Sequence, residues 1–289
     1  MLSKNASKGA LPNLIIIGAM KCGTTSLHYY LNQHPEISMS SPKELKFFVA
    51  EKNWQRGVEW YRSHFSDSAK IRGEASPDYT ACHRRQNVAS RIYSVVPEAK
   101  LIYIIRDPVE RIISHYMHRK LKGVEHRTIN EALSECDLCN NNYLLRSQYY
   151  LQLKEYLNYF PNRQILILTL EELSSHPQKT LKKIFSYLEV EESFKNFQID
   201  KKLNQAKNKI PKNSLKMFGD RMSLLNYAFL RLPNQLQWQV ARLLGNPFSL
   251  TTERPQLSPE LKQRIIDLLQ EDVNRLREYT GKDFHHWCV

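Results

Sequence analysis

The segment Asn13-Leu-Ile-Ile-Ile-Gly18-Ala-Met-Lys-Cys-Gly23-Thr-Thr25 constrains the fold more than any other part of the chain. Its apolar run is short, continuous and β-branched, the pattern of a strand buried on both faces in a parallel sheet. Two glycines and small polar residues follow as a tight turn, and Thr25–Asn32 reads as the helix after it. A strand, a glycine-bearing turn and a helix in that order aim backbone N–H groups and the positive end of the helix dipole at an anion. Against the pattern G-x-x-x-x-G-K-[ST], Gly18, Gly23 and Thr25 match. Thr24 occupies the lysine position, and Lys21 stands earlier, inside the loop.

Lys100-Leu-Ile-Tyr-Ile-Ile105 and Gln164-Ile-Leu-Ile-Leu168 repeat the character of the first strand. Helical stretches lie between and after these runs. Arg84–Val95 precedes the second strand, and Asn142–Phe160 carries an apolar stripe at Leu145, Tyr149, Leu153 and Leu157. A C-terminal helix begins after Ser258-Pro259, where serine caps and proline takes the first turn. Strands alternating with helices predict an α/β fold, a central, mainly parallel sheet flanked by helices on both faces. No linker divides the chain, so residues 11–289 read as one domain, preceded by a loose polar tail over residues 1–10. Lys195–Lys216 is basic and aperiodic and reads as loop, whereas Met217–Leu244 is apolar and rich in aromatics, suited to helical packing, a lid or a membrane-facing segment.

The formal net charge of +13 on 289 residues points to anionic partners: nucleic acid, a membrane surface, or phosphate and sulfate ligands. The basic residues are spread along the chain without a recognisable nucleic-acid module, so nucleic acid is not expected as a partner. The apolar run Leu11–Met20 has ten residues, too few to span a bilayer, and no small-residue cleavage site follows it. No membrane span is expected, and five cysteines, an odd number, suit reduced thiols in the cytoplasm. Cys136 and Cys139 have C-x-x-C spacing but stand without a second ligand pair, so no metal site is expected.

The second strand runs into Arg106-Asp-Pro-Val-Glu-Arg-Ile-Ile-Ser114. Asp107, Pro108 and Glu110 are a helix start: cap, first-turn proline and third-position acid. Arg106 falls at the carboxyl end of a parallel strand, where such sheets bind ligands, and its planar fork suits a phosphate monoester. A nucleoside triphosphatase needs a carboxylate for Mg²⁺ after that strand; an arginine stands there instead. A small-molecule kinase on the same loop therefore remains only the rival reading.

Together, the loop Lys21-Cys-Gly-Thr-Thr-Ser26 and the unit Arg106–Ser114, 85 residues further on, closely resemble the two cofactor signatures of sulfotransferases that use 3′-phosphoadenosine 5′-phosphosulfate. Pro42-Lys-Glu44-Leu-Lys-Phe-Phe48, Gly73-Glu-Ala-Ser-Pro-Asp-Tyr79 and the tract Glu253-Arg-Pro…Leu257-Ser-Pro extend the resemblance, which is nearest to bacterial members and the heparan sulfate branch. It implies a P-loop-like, three-layer fold and metal-independent, in-line transfer of a sulfuryl group, leaving adenosine 3′,5′-bisphosphate. By the same resemblance, Lys21, Cys22, Gly23, Thr24, Thr25 and Ser26 hold the 5′-phosphosulfate, and Arg106 and Ser114 hold the 3′-phosphate. Lys21 then doubles as the catalytic cation at the bridging oxygen, and Glu44 is the general base; Lys46, His115 and His118 are its rivals.

Two departures shape the acceptor reading. Carbohydrate-modifying members carry a lysine where Ala75 stands, and the later basic-Gly-aromatic-Tyr cofactor segment is missing, with Lys207 and Lys209 in its region. With the apolar Met217–Leu244 segment, Ala75 favours a hydroxyl or amine on a small acceptor, a secondary metabolite, over a glycosaminoglycan-like chain.

Overall fold

The computed structural model describes residues 9–134, 140–194 and 254–289. Five parallel strands form one sheet in the order β2-β3-β1-β4-β5: β1 (Leu14–Gly18), β2 (Ile37–Met39), β3 (Ile71–Ala75), β4 (Lys100–Ile105) and β5 (Ile165–Thr169). β1 is central, with Leu14 in register with Gly73 of β3 on one side and Lys100 of β4 on the other. The chain leaves β1 toward β2 and β3 and later returns past it to β4. The carboxyl ends of β1, β3 and β4 therefore flank the point where the winding reverses, which is where open α/β sheets bind ligands.

Ten helices of the described residues cover the sheet: α1 (Thr24–Leu31), α2 (Gly57–Arg62), α3 (Val88–Val95), α4 (Pro108–Leu121), α5 (Ile129–Leu133), α6 (Asn142–Leu145), α7 (Tyr149–Leu157), α8 (Leu170–Ser175), α9 (Pro177–Leu188) and α10 (Pro259–Thr280). Alternation along the strands sorts the core into two layers. Ile15, Ile17, Leu101, Tyr103 and Ile105 pack against Ile112 of α4, Leu153 of α7 and Leu269 of α10. Leu14, Ile16, Ile102, Ile104 and Leu168 pack on the other face against Leu27 of α1 and Leu181 and Phe185 of α9. Both faces of every central strand are dry, which is why these strands read as unbroken apolar runs.

Three elements differ from the expectation. The helix predicted over Asn142–Phe160 is two helices, broken between Leu145 and Tyr149. Tertiary partners impose the break: Ser147 donates to Pro108 O at 3.2 Å, and Asp272 of α10 accepts the N–H groups of Tyr150 and Leu151 at 3.0 and 2.8 Å. The helix predicted from Arg84 starts at Val88. The strands β2 and β3 carry Ser38, Arg72, Gly73 and Glu74, and this polar content hides them from a search for apolar runs. The segments expected at Lys195–Lys216 and Met217–Leu244, the Cys136–Cys139 pair and most of the N-terminal tail lie outside the described residues.

Candidate active site

The turn after β1 is shaped for glycine at both ends. At Gly18 a Cβ would lie 2.0 Å from Thr80 Oγ1. Gly23 has φ 90°, the left-handed region that favours glycine, and a Cβ there would meet Leu170 at 2.7 Å. Gly23 is the N-cap of α1 and no side chain caps this helix, so the first N–H groups, those of Thr24, Thr25 and Ser26, are left for an external acceptor. Lys21, also left-handed at φ 74°, sits at the crown of the loop. Cys22 is different: its thiol is buried beside the Tyr149 hydroxyl at 3.6 Å, and burial pushes its pKa up to about 11. Its N–H is spent inside the turn on Ala19 O at 3.2 Å, so Cys22 shapes the loop from beneath.

Arg106 leaves the end of β4 and joins the two sequence motifs, with Nη1 donating to Lys21 O at 3.5 Å. Its Nη2 donates to Glu110 Oε2 at 3.2 Å, and Glu110 also takes an ion pair from Arg254. Arg106 Nε is buried without a hydrogen-bond partner among the described residues. Asp107 caps α4 through Glu110 N at 2.9 Å and accepts the N–H of Cys288 at 2.5 Å, tying the C-terminal tail to this corner. Ser114 lies half-buried two turns along α4. Lys207 and Lys209 lie outside the described residues. An uncapped helix start beside a half-buried guanidinium with an unused Nε–H is a donor set for an anion bearing phosphate groups.

Glu44 stands at the other edge of the loop, its side chain 36% exposed. Lys43 Nζ approaches Glu44 Oε1 at 3.3 Å, and Lys46 Nζ approaches Oε2 at 3.1 Å. Lys46 continues to Asp78 at 3.6 Å, and Asp78 accepts from Arg146 Nη2 at 2.9 Å. The chain of charges closes on the loop at both ends: Lys43 Nζ donates to Thr24 Oγ1 at 3.5 Å, and Arg146 Nη1 lies 3.4 Å from Met20 Sδ. Lys43 also donates to Ala75 O at 3.2 Å, and burial lowers its pKa. The structure thus brings Glu44 to the loop that carries Lys21.

Of the rivals to Glu44, His115 is buried against Tyr143, its Nδ1 3.5 Å from the Arg111 guanidinium, and burial and that charge hold its pKa far below the usual range. It faces the core under α4. Lys46 belongs to the ring around Glu44, and His118 stands one turn beyond Ser114. Lys43, Asp78 and Arg146 were not singled out in the sequence, although Lys43 and Asp78 sit inside the quoted segments. Arg146 could have been found as the one cation interrupting the apolar pattern Tyr143-Leu-Leu-Arg-Ser-Gln-Tyr149. Among the described residues, no three His, Cys, Asp or Glu side chains converge as metal ligands, and no helix is long and apolar enough to cross a membrane.

A family model described as "Sulfotransferase domain" matches residues 11–272. The chain belongs to the sulfotransferase family. Among its relatives, the membrane-associated sulfotransferase kil1 of Dictyostelium discoideum is 28% identical over 270 residues, covering 62% of this chain and 56% of that protein. The human bifunctional heparan sulfate N-deacetylase/N-sulfotransferase 2 is 28% identical over 206 residues, 64% of this chain and 23% of that protein. The chain therefore matches about half of the first relative and less than a quarter of the second. A solved sulfotransferase from Alicyclobacillus acidocaldarius shares the fold, with TM-score 0.69 and 24% identity over 97% of this chain and all of that one. The architecture is the P-loop-like fold of the family, whose members use 3′-phosphoadenosine 5′-phosphosulfate, and the donor set above suits the anionic groups of that cofactor.

Proposed function

We propose that this sulfotransferase acts on a hydroxyl or amine of a small, uncharged acceptor, a secondary metabolite, with Glu44 as general base and Lys21 as catalytic cation. The bound donor supplies the sulfuryl group. Gly23, Thr24, Thr25 and Ser26 offer it main-chain N–H groups, with Cys22 shaping the turn below them. Arg106 answers the 3′-phosphate together with Ser114 of α4, and Lys207 and Lys209 complete the cofactor set. Lys21 offsets the charge that builds on the departing oxygen, the position where a fixed cation lowers an in-line barrier most. Glu44 accepts the acceptor's proton on a carboxylate oxygen, which makes the oxygen or nitrogen a nucleophile.

The acceptor class rests on the ring of charges. Lys43 and Lys46 flank the base, Arg146 joins them through Asp78, and each cation is held by Glu44 or Asp78. A polyanionic chain would have to displace those carboxylates or leave them facing its own charges. The carbohydrate reading draws on the heparan sulfate enzymes among the relatives. A screen with ³⁵S-labelled donor against small alcohols, phenols and amines, run beside N-deacetylated heparosan, separates the two. Label on small neutral compounds supports the proposal; label on the polysaccharide alone overturns it. Unpaired Cys22, Cys82 and Cys288 support a reducing compartment such as the cytoplasm, and residues 11–289 are taken as one domain behind a short tail.

A further inference from the structure

Behind the ring of charges lies a carboxylate to which the sequence assigned no role. Glu74, near the end of β3, is completely buried. Its Oε1 accepts the hydroxyls of Tyr61 at 2.6 Å and Tyr79 at 2.8 Å, and Oε2 accepts the hydroxyl of Ser76 at 2.7 Å. Three donors converge on one acceptor in a dry site, and burial raises its pKa against the pull of these hydrogen bonds.

These partners lead to one place. Ser76 Oγ, donating to Glu74, accepts the N–H of Lys46 at 3.0 Å. Tyr79 OH, also donating to Glu74, accepts the N–H of Phe48 at 3.4 Å. Ala75, the next residue, donates its N–H to Lys43 O at 3.1 Å. The segment 43–48 is thus tied at Lys43, Lys46 and Phe48, and Phe47 is clamped by stacking on Tyr61 at 4.3 Å. Glu44 is the residue in it whose carboxylate reaches outward to the ring. Lys46 has φ 49°, and a lysine persists in the left-handed region only where its surroundings over-determine it. Its N–H bond to Ser76, itself fixed by Glu74, supplies that constraint and aims Nζ at Glu44.

We propose that Glu74 is a positioning residue for the transfer: through Ser76 and Tyr79 it fixes the conformation of residues 43–48 and so the place of the Glu44 carboxylate beside the loop. The proposal rests on the reading of Glu44 as the base. Small displacements of a reacting group cost rate steeply, so the effect belongs in turnover and not in cofactor affinity.

The test compares Glu74→Gln, which keeps the volume and can still accept from the tyrosines, with Ser76→Ala, which removes one link and leaves Glu74 in place. Crystal structures of both with adenosine 3′,5′-bisphosphate should show Lys46 leaving positive φ and the Lys46–Glu44 contact opening. Turnover with ³⁵S-labelled donor, using 4-nitrophenol and glucosamine as hydroxyl and amine probes, should fall by about tenfold per folded molecule. The Kd of the bisphosphate should stay within about twofold. In a Glu44→Gln background, Glu74→Gln should cost no further rate, since both act through one carboxylate. An unmoved segment in the two structures overturns the proposal, as does a loss repeated in full in the Glu44→Gln background. If Glu44→Gln alone turns over like the wild type, the base reading falls instead, and the two structures still decide whether Glu74 holds the segment.

Discussion

The two sides of this active site are built in different ways. The donor side is mostly main chain, with Lys21 and Arg106 added to it: the turn after β1, the uncapped start of α1 and the end of β4, all fixed by strands whose two faces are buried. The acceptor side is side chains: Glu44 held between two lysines, with Asp78 and Arg146 closing the ring, on a segment with no regular structure of its own between β2 and α2. A shared donor can be served by backbone geometry that any sequence with the right glycines reproduces. An acceptor has to be met by side chains, which change without disturbing the sheet. The difference predicts that donor-side substitutions act on cofactor affinity or on every acceptor alike, and that acceptor-side substitutions act on turnover selectively.

The largest effect is expected from Lys21→Ala. Loss of one preorganised charge at a developing anion costs on the order of 10²- to 10³-fold in kcat. The side chain sits at the half-buried crown of a loop, so the Tm should stay within a degree or two, as for other substitutions that remove no core contact. Single-turnover rates beside thermal melts check both parts, and a rate within threefold of wild type would break the donor-side account. Arg106→Ala comes next. Removing a charged donor from a phosphate site costs about 1.5–3 kcal/mol, or roughly 10- to 100-fold in the Kd of adenosine 3′,5′-bisphosphate. Adenosine 5′-phosphate should lose much less affinity, and calorimetry with both ligands reads the contrast.

How far the sequence reveals each side follows the same division. Gly18, Gly23 and the three apolar strands are legible because each obeys a local rule: left-handed φ, close approach, or burial on both faces. Arg106 is legible because it ends such a strand. Glu44 is reached by resemblance and not by pattern, since an exposed glutamate between lysines reads locally as solvated surface. Lys43, Asp78, Arg146 and Glu74 come together only through the fold: the Arg146–Asp78 contact spans 68 residues and the Tyr61–Glu74 contact crosses from α2 to β3. Cys22 shows the converse. Its place in the loop motif says nothing of side-chain direction, and only the structure turns its thiol toward Tyr149 and the core.

A smaller effect tests the acceptor side. Asp78→Asn removes the charge shared by Lys46 and Arg146 while keeping the shape. Partly exposed ion pairs are each worth up to about 1 kcal/mol, so a change of about three- to fivefold in kcat/KM for the acceptor is expected, with bisphosphate affinity unchanged. The neutral residue also makes the already positive rim more positive, so anionic acceptors should gain relative to neutral ones. Equal losses for acceptor and bisphosphate would show that the two sides are not separable.

The smallest effect concerns the joint between them. His28, on α1 directly behind the donor loop, donates from Nε2 to Ser40 O at 3.1 Å, and Ser40 Oγ donates to Pro42 O at 3.0 Å at the start of the base-bearing segment. Burial, with Lys43 adding to it, pulls the His28 pKa down to about 4 against the hydrogen bond to Ser40. The folded protein therefore keeps this ring neutral where an unfolded chain protonates it. Between pH 6.5 and 4 the unfolded state binds the extra proton, so stability falls as pH falls through that window and levels off below it. His28→Gln keeps an N–H donor and removes the titration, and its Tm should decline less steeply over the same range. His115, whose pKa burial also depresses, remains in the variant, so the slope should shrink without vanishing. Melting curves at half-unit pH steps give the comparison, and an unchanged slope would mean that burial at the joint does not hold His28 neutral in the folded protein.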